Sequence, residues 1–180
     1  MRLSRVFVLS TGRCGSTTFA RACEHMSNWS AAHESLIHEV GDARFAYPER
    51  HIEADNRLSW LLGRLDAQFD DEDTLYVHLR RDDEKTAQSF LRRWGKGIIK
   101  GYARRILPGS TRHHDRMEIC RDYVRTVNTN ITHFLSGRPN RMAFRLEAAA
   151  SHFPDFWARI GAEGAYDQAL AEWEVRHNAS

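Results

Sequence analysis

An α/β fold of three layers, a short central parallel sheet flanked by helices, is what this sequence predicts, and three observations predict it. The runs Val6-Phe7-Val8-Leu9 and Leu75-Tyr76-Val77, with Leu79, are β-branched and aromatic, the composition of strands buried on both faces of a parallel sheet. Each run breaks into a polar turn that opens a helix-forming segment, so strand and helix alternate along the chain. The 180 residues are 42% hydrophobic and 28% charged, without internal repeat or low-complexity linker, and read as one domain over 1–180.

The elements follow in order. After the first strand, Gly12 and Gly15 permit a tight turn, and a helix begins at Ser16. The stretch NWSAAHES, 28–35, gives a second short strand returning to the carboxyl edge of the sheet. After Asn56, residues Leu58, Leu61, Leu62, Leu65 and Phe69 share one helical face. The strand at 75–79 leads to a helix capped by Asp82 or Asp83, with Ala87, Leu91 and Trp94 facing the core. Residues 94–112, rich in Gly and cations and poor in helical periodicity, read as a mobile flap. It serves either as a lid or acceptor-binding loop or as a solvated basic connection. Met117, Cys120, Val124, Val127, Ile131 and Phe134 mark an amphipathic helix from about Arg116 to Leu135, ended by Ser136-Gly137-Arg138-Pro139. Residues 141–147 form another strand before a last helical region, whose Phe153, Phe156, Trp157, Tyr166 and Trp173 read as packing.

The stretch RVFVLSTGRCGSTTFA, 5–20, has the layout of a phosphate cradle: an apolar strand, a small hydroxyl-rich turn with one cation, then a helix. The unpaired N–H groups and positive dipole end of that helix point into the turn, where an anion can sit. Arg13 and the hydroxyls of Ser16, Thr17 and Thr18 add charge and donors. The general pattern for a triphosphate is G-x-x-x-x-G-K-[ST]. Here no Lys follows Gly15, and the cation precedes the second Gly, which disfavours a nucleoside triphosphate.

The order Arg13, Cys14, Gly15, Ser16, Thr17 between strand and helix resembles the 5′-phosphosulfate-binding loop of sulfotransferases. Arg81 at a strand end and Ser89 two turns into the next helix resemble the pair with which that family holds the 3′-phosphate of 3′-phosphoadenosine 5′-phosphosulfate. The resemblance covers these two motifs and their order. It implies a P-loop NTPase-like fold, that nucleotide as sulfuryl donor, no metal, and a small-molecule or glycan acceptor. Such transfer needs a base for the acceptor proton and stabilisation of the departing oxygen. In this family the base is a His or a Glu after the loop, which points to His33 and Glu34. Glu34 reads as the base, with His33 orienting it or contacting the leaving phosphate; the reverse assignment stays open. Larger members cover the 3′-phosphate with a Gly- and Lys-rich segment near the carboxyl end. This chain has no clear copy, and Arg176, His177 and Asn178 are the substitutes on offer. The alternatives are a non-catalytic phosphoadenosine sensor and a small-molecule kinase, the latter disfavoured by the missing loop Lys.

Other chemistries fit less well. A cysteine phosphatase built on Cys14 needs an Arg closing the loop, and Arg21 stands one residue too far along. The His residues, including His113-His114, lack metal-ligand spacing. No apolar run reaches bilayer length and no signal sequence opens the chain; with three Cys and no disulfide framework, this points to the cytoplasm. A net charge of +2 is too small to indicate nucleic acid.

Overall fold

The computed structural model describes residues 3–69 and 72–175. Its five strands, β1 (Arg5–Leu9), β2 (Ser30–His33), β3 (His51–Ala54), β4 (Thr74–Arg80) and β5 (Arg141–Arg145), pair in the order β2-β3-β1-β4-β5, all parallel. The expected α/β class and central parallel sheet are therefore present. Strand β1 lies between β3 and β4, with Val8 opposite Ala54 on one side and Val77 on the other. Because all strands run the same way, every strand exit lies at one edge. The chain diverges there on either side of β1, the switch point where ligands of open α/β sheets bind.

Side-chain alternation gives the sheet two faces. Val6, Val8, Ile52, Leu75, Val77 and Phe144 pack with α1 (Ser16–Glu24), α6 (Ala149–Arg159) and α7 (Tyr166–Ala171). Phe19 is the hub of that layer, 5.0 Å from Phe144, 4.9 Å from Phe156 and 5.8 Å from Trp173 between ring centroids. The aromatic tail is thus packing, as its spacing suggests. Phe7, Leu9 and Tyr76 face the other way, against α2 (Leu62–Gln68), α3 (Asp83–Arg92) and α5 (Arg116–Phe134). Local capping fixes where these helices begin. Asp82 accepts from the Lys85 amide at 2.8 Å, and Asp115 and Glu118 form a reciprocal capping box at the start of α5.

Three features depart from the sequence reading. Strand β3 carries His51 and Glu53 and has no apolar run, yet its four residues are buried. The Glu53 carboxylate is fully enclosed, accepting from the Ser35 amide at 2.9 Å and the Ser35 hydroxyl at 2.5 Å, with His51 Nε2 at 3.1 Å. The single helix expected after Asn56 is two pieces, a 3₁₀ turn Asn56–Trp60 capped by Asp55 and then α2. Leu58, Leu65 and Phe69 are buried as expected, whereas Leu61 and Leu62, at the break, are half-buried. The expected flap contains α4 (Gly97–Gly101), a π-helical turn Tyr102–Ile106 and a 3₁₀ turn Ser110–Arg112, anchored by buried Ile99, Tyr102 and Ala103.

His78 in β4 donates from Nε2 to Asn128 Oδ1 at 3.2 Å, a tautomer set by the Asn128 amide donating to Asp83 Oδ1 at 3.0 Å. Burial pushes its pKa down to about 4. The unfolded chain therefore binds the His78 proton at higher pH than the folded one. The resulting stability is fully present above pH ~6.5 and is lost as pH falls towards 4, a contribution of about 3 kcal/mol. Urea unfolding should show stability falling between pH 7 and pH 4.5, and His78→Gln should flatten that fall; an identical slope in the variant would assign it to other groups.

Candidate active site

The exit of β1 is held from beneath. The Ser59 hydroxyl donates to the Ser10 carbonyl at 3.0 Å and accepts from the Ser10 amide at 3.3 Å. The Thr11 carbonyl accepts from the Tyr123 hydroxyl at 2.7 Å and from Asn56 Nδ2 at 3.4 Å. The Gly12 amide turns back onto Ser10 Oγ at 3.1 Å. Gly12, Arg13 and Gly15 all have left-handed backbone, with φ of 80°, 60° and 92°. A side chain at Gly12 would run into Asn56, and one at Gly15 would meet Leu146 Cδ1 at 2.7 Å. The glycines are thus required both by dihedral and by close approach. Gly15 caps α1 through its backbone without a side-chain bond to the first turn, which leaves those amides facing the loop.

The predicted loop residues differ in exposure. Cys14 is fully buried in the α1-side core, where burial raises its thiol pKa, so it offers the loop its backbone and no nucleophile. Thr18 is also buried, and Thr17 is half-exposed. The Ser16 hydroxyl lies 3.0 Å from His33 Nε2, so the end of β2 meets the start of α1 across the loop.

The two predicted cation sites converge. Arg13 Nε donates to the buried Ser89 hydroxyl at 3.1 Å across 76 residues, and Arg81 Nη1 donates to the Arg13 carbonyl at 3.4 Å. Partial burial, then the fields of Arg93, Arg81 and Arg92, lower the Arg13 pKa. No carboxylate among the described residues forms an ion pair with Arg81, Arg92 or Arg93. Positive charge gathered this way is best neutralised by a multiply charged anion. Arg92 and Arg93 were not singled out from sequence, although Arg93 stands one helical turn beyond Ser89.

Glu34 follows β2 with a left-handed φ of 56°; its amide donates to the Ala54 carbonyl at 3.2 Å, and its Oε2 pairs with Arg57 Nη1 at 2.8 Å. The next residue, Ser35, is tied to Glu53. Asp55 accepts from the Arg57 amide at 2.7 Å and pairs with buried Arg44. The buried carboxylates of Glu53 in β3 and of Asp55, the residue after it, therefore hold the chain beside Glu34 and the backbone of the cation that pairs with it. Only the Asp55 cap had a local signal in the sequence; Glu53, Arg57 and Asn56 take their roles from distant partners. Arg176, His177 and Asn178 lie outside the described residues.

No family model matches the sequence, and no curated protein sequence matches it. Solved structures do match in fold. A sulfotransferase domain from the curacin biosynthetic pathway superimposes with a TM-score of 0.70 at 14% identity, over 98% of this chain and 80% of that one. A sulfotransferase domain from the Synechococcus PCC 7002 olefin synthase gives a TM-score of 0.66 at 14% identity, over 98% and 79%. The chain thus has the fold of sulfotransferase domains.

Gly12→Ala should destabilise the protein by about 2 kcal/mol in urea unfolding, since it meets both the dihedral penalty and Asn56. Adding Asn56→Ala should return only the steric part; full recovery in the double variant would show that the left-handed backbone costs nothing here.

Proposed function

We propose that the protein is a sulfotransferase that moves a sulfuryl group from 3′-phosphoadenosine 5′-phosphosulfate to a hydroxyl or amine. The observation that carries this reading is the Arg13–Ser89 contact, with Arg81 on the Arg13 carbonyl, which joins two sequence motifs 76 residues apart into one cationic site. The donor set fits such a nucleotide: arginines, hydroxyls and helix-start amides, all of them donors.

In this reading Arg13, the amides opening α1 and Ser16 hold the 5′-phosphosulfate, while Arg81 and Ser89 hold the 3′-phosphate. Arg93 and Arg92 add charge beside them, a local counterpart of the carboxyl-terminal cations that larger sulfotransferases use. His33, already bonded to Ser16, contacts the transferring group or the departing phosphate. Glu34 takes the acceptor proton, with its Oε2 in an ion pair with Arg57 at 2.8 Å. The protein works as one sulfotransferase-like unit, and among the described residues no helix is long and apolar enough to cross a membrane. A cytoplasmic setting supplies the nucleotide and suits three unpaired cysteines.

Calorimetry with 3′-phosphoadenosine 5′-phosphate should give tight binding to the parent and a loss on the order of 10- to 100-fold in Arg13→Ala; unchanged affinity would remove Arg13 from the site. Glu34→Gln should keep the nucleotide and lower turnover of labelled donor by about 10²-fold or more. If turnover survives in Glu34→Gln and fails in His33→Asn, the base is His33.

A further inference from the structure

The charge of this chain is distributed unevenly. From Arg92 to His114 there are seven Lys or Arg residues (92, 93, 96, 100, 104, 105 and 112) and no Asp or Glu. The chain has 26 cations and 24 carboxylates, so removing those seven leaves the remaining residues at a net −5. All of the excess positive charge belongs to one segment. Its seven cations are exposed, and among the described residues none forms an ion pair with a carboxylate. Self-repulsion of this kind opposes the compact state.

The segment is nonetheless ordered and tied to the phosphate loop. Ile99, Tyr102 and Ala103 are buried, and the Tyr102 hydroxyl donates to Asp122 at 2.6 Å. The Tyr102 ring lies 5.2 Å from Tyr123 and 6.0 Å from Trp60, and Tyr123 is the residue that holds the Thr11 carbonyl. Cation and loop are thus linked through two packed rings. At its start the segment adds Arg92 and Arg93 to the field on Arg13. Lys100, Arg104 and Arg105 precede Ile106, an exposed apolar side chain.

We infer that this segment is an acceptor-binding platform and that the acceptor carries its own negative charges, as carboxylate, phosphate or sulfate groups beside the hydroxyl or amine that is sulfated. The inference rests on the sulfotransferase reading and adds the acceptor's chemical class. In the proposed reading the donor's charges are already met by Arg13, Arg81, Ser89, the loop amides, Arg92 and Arg93. What remains is Lys96, Lys100, Arg104, Arg105 and Arg112, five exposed cations with no carboxylate of their own segment to neutralise them, on a segment whose Tyr102 packs on the residue that holds the loop.

The test divides a small-molecule extract on an anion exchanger before reaction, then incubates the neutral flow-through and the anionic eluate separately with protein and sulfur-labelled donor. Label should enter compounds of the anionic eluate. With the labelled compound as acceptor, raising salt from about 0.05 M to about 0.5 M should increase its KM on the order of tenfold, since exposed charges are screened. Lys100→Glu, Arg104→Glu and Arg105→Glu combined should raise that KM by about tenfold or more, with kcat and the unfolding midpoint changed far less. The salt series uses the parent protein and so reads out even if the triple variant folds poorly. Label entering the flow-through compounds, or a KM indifferent to salt in the parent, overturns the anionic acceptor while leaving the transferase reading intact. Nucleotide binding without label in either fraction sinks the transferase reading, and the acceptor class with it.

Discussion

The seating of the β1 exit on the segment that leaves β3 is the constraint on which the rest of the site depends. Ser59 bonds both polar groups of Ser10, Asn56 closes over Gly12, and Tyr123 reaches the Thr11 carbonyl from α5. Each such bond contributes about 0.5–1.5 kcal/mol net. Together they offset a left-handed Arg13, a conformation that costs about 1–3 kcal/mol in a residue with a side chain. The strain is held where it is useful. With Gly12 and Arg13 both turned, the Arg13 guanidinium meets Ser89 and its carbonyl meets Arg81, and the motifs after β1 and β4 become one site.

The same segment explains why β3 is polar. Enclosing Glu53 and Asp55 costs desolvation that an apolar strand would avoid, and buried ion pairs are often replaceable by packed hydrophobic residues without loss of stability. Apolar residues at 53 and 55 would leave the Ser35 and Arg57 amides without their acceptors and Arg44 without its carboxylate. It would also leave the backbone on either side of Glu34 unspecified. The buried carboxylates act on position more than on stability: they hold the chain at 33–35 and the cation at 57 against the loop.

What was legible in the sequence is what local chemistry encodes. The runs at 6–9 and 75–79 announce buried parallel strands, the Asp82 and Asp115 caps set helix starts, and the glycine spacing gives the loop. The convergence of Arg13 with Ser89 was legible only through resemblance to a known family, because nothing local brings residues 76 apart together. Strand β3 was invisible for a physical reason. HIEA has the polarity of a surface turn, and only Ser30 and Ser35, contributed by β2 and the residues after it, make burial of His51 and Glu53 tolerable. The segment 94–112 failed for a different one. Helical periodicity assumes 3.6 residues per turn, and a π-helical turn at Tyr102–Ile106 between short α and 3₁₀ pieces breaks the register of its buried residues.

Charge then links the two halves of the site. In the proposed reaction a donor nucleotide would bring several negative charges to Arg13 and Arg81, and an anionic acceptor approaching the same point would be repelled by each of them. Two unit charges 8 Å apart at an effective dielectric of 20 interact by about 2 kcal/mol, so an uncompensated encounter would be disfavoured by several kcal/mol. Net charge over the whole chain, only +2, does not relieve this, because the body outside 92–114 is itself negative. Relief has to come from cations fixed at the rim. Under that reading the segment 92–114, with seven cations and no carboxylate and with Tyr102 packed on the Tyr123 that holds the loop, would supply it. Cation density that is a liability in a solvated connection would become, beside a loop that holds the proposed donor, the condition for a second anion to approach.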